Sequence, residues 1–212
     1  MLKLQDVRYQ YPDGKTLSFP DIHLSPGQSA ALVGPSGSGK STLMHLIGGM
    51  LTAQAGSVMV DGTDITTLDQ PARDQFRGEK MGLVLQQLGL LPNLTLLDNL
   101  LLAQYLSGTA QDVAHCTSLL VELGLSEALR KKPAKLSQGQ RQRAAIARAI
   151  VNKPVLLMAD EPTAALDDAS AEAALNLLMS VAARHGASLL VATHDVRAKA
   201  RFTQVWTLGD AQ

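Results

Sequence analysis

The chain has 212 residues, of which 46% are hydrophobic, with 19 basic residues against 19 acidic ones and a single cysteine. That is ample apolar material for a buried core in one or two domains. The balanced charge argues against a general nucleic-acid binder, and one cysteine excludes an internal disulfide. No run approaches the ~20 apolar residues of a bilayer span, and the opening "MLKLQDVRYQ" lacks the basic-then-apolar layout of a signal peptide. The chain is therefore expected in the cytoplasm, meeting a membrane only through a partner.

The first segment, "LKLQDVRYQY", reads as a strand, and "QSAALVG" (28–34) as a short buried strand ending in glycine. A helix follows in "STLMHLIGGM". "SVMVDGTDI" holds two strand pieces around Asp61-Gly62, a hairpin signal. "MGLVLQ" (81–86) is a further strand. "TLLDNLLLAQYL" (95–106) is helical, with Thr95 and Asp98 spaced as a capping box. The next helix, about 110–123, carries Val113, Cys116, Leu120 and Leu123 at helical spacing, which makes Cys116 a core residue. Another helix opens at "LSQGQ" and runs over about 137–151, Ser137 and Gln140 again forming the box.

"PVLLMADEP" is a buried strand ending in acids. "DASAEAALNLLMSVAARHG" is a helix stopped by Gly186. "ASLLVATHD" and "FTQVWTL" complete the strands. Strand and helix alternate at both ends, whereas 87–152 is almost wholly helical. The expected fold class is α/β, a core with an inserted helical subdomain.

"GPSGSGKS", from Gly34 to Ser41, fits G-x-x-x-x-G-K-[ST] between a strand and a helix. Gly34, Gly37 and Gly39, with Pro35, Ser36 and Ser38 between them, let successive N–H groups face phosphate oxygens. Lys40 supplies charge to the β- and γ-phosphates, and Ser41 a ligand for Mg²⁺. Thr42 follows directly. Asp160, at the end of a buried strand, suits Mg²⁺ or its water. Glu161 beside it can orient an attacking water. His194 ends another strand, where open α/β sheets place their ligand crevice.

The phosphate loop, "LSQGQ", "LLMADEP", "ALD" and "TH", in this order, resemble the ATP-binding cassette of ABC transporters. The likeness covers nearly the whole chain, and it implies a P-loop NTPase fold with a mixed sheet core. The single domain would span 1–212, with core 1–86 and 153–212 and helical subdomain 87–152. It further implies that Tyr11 stacks on adenine, with Tyr9 as rival. Gln86 would touch Mg²⁺ or water and sense the membrane partner. Ser137, Gly139 and Gln140 would contact the γ-phosphate, as would His194. Asp167 would form the loop after the acids, and Glu161 would be the catalytic carboxylate.

The resemblance is not perfect. Gln138 stands where the signature usually has a glycine, Leu85 where Phe is frequent, and Ala164 where Ser is frequent. Gln138 would be strained if its φ were positive. It costs almost nothing as the first residue of a helix, which its place after the cap Ser137 indicates.

In this family two cassettes pair head-to-tail, each phosphate loop facing the other's signature. One loop and one signature per chain imply a homodimer. The implied ligands are ATP and Mg²⁺, and the implied partners are transmembrane permease subunits at the cytoplasmic face of the inner membrane. Segment 76–100 resembles the lipoprotein-release, macrolide-export and cell-division branch. A competing reading, a soluble ATPase acting on nucleic acid or ribosomes, draws on eight basic residues between Arg130 and Lys153 with no acid among them. Solvated helix faces and complementarity to the nucleotide account for these more simply.

Overall fold

The computed structural model describes residues 1–164 and 166–209. Its strands form two sheets. The first is antiparallel and comprises β1 (Leu2–Gln10), β2 (Thr16–Ser18), β3 (Ile22–Leu24), β5 (Ala55–Val60) and β6 (Thr63–Asp64). The second comprises β4 (Ser29–Val33), β7 (Met81–Val84), β8 (Leu156–Asp160), β9 (Ser188–Thr193) and β10 (Gln204–Thr207), parallel in the order β10-β4-β9-β8-β7. The mixed character expected from the resemblance thus lies in two sheets of opposite type. Their helices are α1 (Lys40–Ile47), α2 (Gln70–Lys80), α3 (Leu96–Leu106), α4 (Val113–Glu122), α5 (Gln138–Ile150) and α6 (Asp168–Arg184).

Parallel strands are covered on both faces and therefore read as unbroken apolar runs. Every residue of β8 and β9 is buried. Alternation along these strands divides the interior in two. Ala31, Leu157, Ala159, Leu189 and Val191 face the core shared with α3, α4, α5 and α6. Ala30, Leu32, Leu156, Met158 and Leu190 face α1 and the apolar side of the antiparallel sheet. Cys116 is buried in the first core, and desolvation pushes its thiol up to about 11.

The hairpin at Asp61-Gly62 joins β5 to β6 as expected. Both capping boxes, at Thr95 and at Ser137, are complete. Helix α2 was not legible from periodicity, because none of its residues is buried. Its signals are the cap Asp69, which accepts from Ala72 N, and a proline in its first turn. Close packing is visible at Gly82, where a Cβ would lie 2.3 Å from the carbonyl oxygen of Ala149. Only glycine lets α5 lie this near β7.

The register decides where the site forms. Val33 pairs with Thr193, Asp160 with Ala192 and Val84 with Ala159. The carboxyl ends of four strands are therefore nearly level. Whatever follows them emerges on one edge of the sheet, although Gly34 and His194 lie 160 positions apart in the chain.

Candidate functional site

Residues 34–39 turn the chain from β4 into α1. Gly37 has φ 81° and Gly39, the cap of α1, has φ 93°, a region closed to most side chains. A Cβ at Gly34 would lie 2.6 Å from both the Leu208 carbonyl oxygen and Ser38 Oγ. The first turn of α1 has no side-chain cap and no acid. Its free N–H groups and the positive end of the helix dipole are left for an anion.

Lys40 is 5% exposed. Its Nζ donates to the carbonyls of Gly34 at 2.9 Å and Pro35 at 3.0 Å, and lies 3.5 Å from Glu161 Oε1. Asp160 is buried beside it. Burial raises its carboxyl above the usual carboxylate range, opposed by a hydrogen bond from Ser41. Among the described residues, Asp160 Oδ1 and Ser38 Oγ are buried with no hydrogen-bond partner. Such orphans are costly in a fold unless something else meets them. A hard cation on Asp160 and Ser41, and phosphate oxygens at Ser38, would meet both, so the donor set fits Mg²⁺ with a polyphosphate.

Glu161 sits at φ 48°, a strained angle for a residue with a side chain. Its N–H donates to Ala192 O at 2.8 Å, which ties it to the end of β9. Its carboxylate reaches the cleft. There Oε2 lies 2.8 Å from His194 Nδ1. Tyr11 enters from the β1–β2 hairpin. Its ring meets Tyr9 edge-on, with centroids 5.0 Å apart and planes at 86°, and its hydroxyl bonds Thr42 Oγ1. Gln86, two residues past β7, lines the same cleft, whose volume is about 370 Å³.

Tyr11, the phosphate loop, Gln86, Glu161 and His194 are thus together, with Asp160 behind Ser41. Ser137, Gly139, Gln140 and Asp167 are not among the cleft's lining residues. Gly139 and Asp167 instead line a separate hollow of about 260 Å³ between the starts of α5 and α6. Ser137 caps α5, its Oγ accepting from Gln140 N at 3.2 Å while Gln140 Oε1 accepts from Ser137 N at 3.0 Å. Gln138 is the first residue of α5 and has no positive φ, so this signature is a relaxed helix start. Among the described residues, a Cβ at Gly139 would meet nothing within 4 Å. Asp167 caps α6 by accepting from Ser170 N and Ser170 Oγ, bonds that hold its carboxyl below the usual range. Ala165, within "ALD", lies outside the described residues.

Two connections carry no local sequence signal. Gln142 Nε2 donates to Pro162 O at 3.0 Å, so α5 steadies the turn that follows Glu161. Arg148, largely desolvated, donates to the Gly89 carbonyl in the loop after Gln86.

Comparison with known proteins gives a consistent picture. The family described as "ABC transporter" matches residues 17–164. The lipoprotein-releasing system ATP-binding protein LolD of Shewanella frigidimarina is 37% identical over 216 residues, covering 99% of this chain and 90% of that protein. LolD of Pseudomonas fluorescens is 41% identical over 202 residues, covering 92% and 89%. Among solved structures, the post-hydrolysis dimer of the ATP-binding cassette MJ0796 with ADP and Pi superposes at a TM-score of 0.87 with 32% identity, covering 100% of this chain and 95% of that one. The protein cbiO1 of Clostridium perfringens, part of the transporter complex cbiONQ, superposes at 0.88 with 26% identity, covering 99% and 85%.

Proposed function

The chain belongs to the ABC transporter ATPase family, and from that premise we propose that it hydrolyses ATP in a head-to-tail homodimer to drive a membrane permease of the lipoprotein-releasing type. The observation that carries the two-chain reading is the division of the site. The cleft holds a phosphate loop, an acid pair and a histidine, while the second set of phosphate-reading groups, at the start of α5, is not part of its lining. A second copy can bring its own Ser137, Gly139 and Gln140 to this cleft and complete it. The relaxed backbone at Gln138 and the open space at Gly139 leave that helix start free for such a contact.

In this reading the loop 34–41 and Thr42 hold the triphosphate, with Tyr11 against the base. Ser41, Asp160 and Gln86 hold Mg²⁺, which when bound neutralises the phosphate charge. Lys40 exchanges its loop carbonyls for phosphate oxygens. Glu161 orients and deprotonates the attacking water, and His194 steadies the Glu161 carboxylate and the γ-phosphate. Asp167 positions the loop after the acids. Residues 87–152 move as a helical subdomain against a core of 1–86 and 153–212, and the loop after Gln86 passes that motion to the permease.

Among the described residues no helix is long and apolar enough to cross a membrane. From its likeness to the ATP-binding protein of lipoprotein-releasing systems, we assign the chain to the cytoplasmic membrane face, held there by its permease. Affinity purification of the tagged chain from detergent-solubilised membranes of its own cells tests this. An integral membrane subunit with a large extracytoplasmic domain should be recovered in stoichiometric amount. Recovery of nucleic acid or ribosomal subunits in its place would favour the soluble alternative.

A further inference from the structure

Tyr11 is restrained by more than its ring. Its backbone closes the turn between β1 and β2, its N–H donating to Lys15 O at 2.8 Å and its carbonyl accepting from Gly14 N at 2.9 Å. The ring is braced on Tyr9. The hydroxyl reaches Thr42 Oγ1, in the first turn of the helix that follows the phosphate loop. The hairpin and the residue after it also meet the phosphate loop itself, where a Cβ on Gly39 would lie 2.8 Å from Leu17 Cδ1 and 3.3 Å from Phe19 Cε1. Apolar packing at Gly39 already docks the hairpin. Stacking on a base needs only the ring of Tyr11. Neither role calls for the hydroxyl.

Thr42 is buried, and a threonine hydroxyl has one proton and two lone pairs. Left alone, such a rotor points its proton in any of several directions. A phenolic O–H donating into one lone pair closes one of the three staggered positions to that proton and so narrows its choice. We infer that the Tyr11 hydroxyl is a positioning group for the phosphate half of the cleft: it donates to Thr42 Oγ1 and thereby holds the Thr42 O–H toward the cleft for a phosphate oxygen. The base-side hairpin then orders a phosphate donor before the nucleotide arrives, which lowers the ordering cost of binding. The inference rests on the cleft being the ATP site.

The test is a double-mutant cycle on ATP affinity, by titration calorimetry, with Tyr11→Phe, Thr42→Val and the pair. Tyr11→Phe keeps the stacking ring and should weaken ATP binding about three- to tenfold, the scale of one hydrogen bond. Thr42→Val should weaken it at least as much, and the double variant should bind no more weakly than Thr42→Val alone. Unchanged affinity in Tyr11→Phe, or losses that multiply in the double variant, would overturn the inference. A hydroxyl that merely docks the hairpin would lower the melting temperature of Tyr11→Phe and leave ATP affinity untouched. Should the wild-type chain bind no ATP, the reading of the cleft itself falls, an outcome distinct from any pattern within the cycle.

Discussion

Glu161→Gln is expected to bind ATP at least as tightly as the wild type while hydrolysing it more slowly by a factor of ~10² or more. The size follows from losing a general base, which typically contributes about 10²- to 10⁴-fold. The direction for binding follows from the contacts. In the structure Lys40 Nζ lies 3.5 Å from Glu161 Oε1, so the ammonium must leave a carboxylate to serve phosphate. Glutamine removes that competitor and removes a negative charge facing the triphosphate. The substitution should not disturb the fold. Glutamine has the same length and branching, tolerates the φ of 48° no worse, and keeps an oxygen to face His194 Nδ1. ATP-dependent dimers should therefore accumulate, read by light scattering beside a phosphate-release assay. Turnover near the wild-type rate would remove Glu161 from its assigned role.

Lys40→Ala acts earlier, on binding. The buried ammonium is the strongest positive charge in the phosphate loop, and truncating one partner of a buried charged pair costs about 2–5 kcal/mol. ATP affinity should fall by ~10² or more, and turnover with it. The fold should feel a smaller effect, because the Gly34 and Pro35 carbonyls lose the donor they hold at 2.9 and 3.0 Å. A melting curve separates the two effects. Affinity within twofold of the wild type would show that the triphosphate does not lie against this loop.

How much of this could be read from the sequence depended on how local each feature is. The loop from Gly34 to Ser41, the box at Ser137 and Gln140, and the acids after "VLLMA" are each written within a few residues, and each is where its pattern placed it. Gln138 was open between strain and ease. The cap at Ser137 pointed to ease, and the backbone agrees. Helix α2 escaped because a helix with no buried residue leaves no apolar stripe to detect. The bonds from Tyr11 to Thr42, from Gln142 to Pro162 and from Arg148 to Gly89 span 31, 20 and 59 positions, and nothing local in either partner announces them. The gathering of Gln86, Glu161 and His194 has an intermediate status. Each residue stands just after a strand, but only the parallel register brings those strand ends level.

If one ATP site takes its parts from two copies of the chain, mixing two defective variants should restore activity that neither has alone. Lys40→Ala spoils the phosphate loop. Gly139→Asp adds a carboxylate at the start of α5, where the chain itself has open space and the burden falls on whatever faces that helix from another molecule. Each variant alone should be nearly inactive. Mixed in equal amounts they should recover about a quarter of wild-type turnover per chain, because half the dimers then carry one site built from an intact loop and an intact signature. A mixture no more active than its separate components would place each site within one chain, since a site complete within one chain cannot be repaired by another.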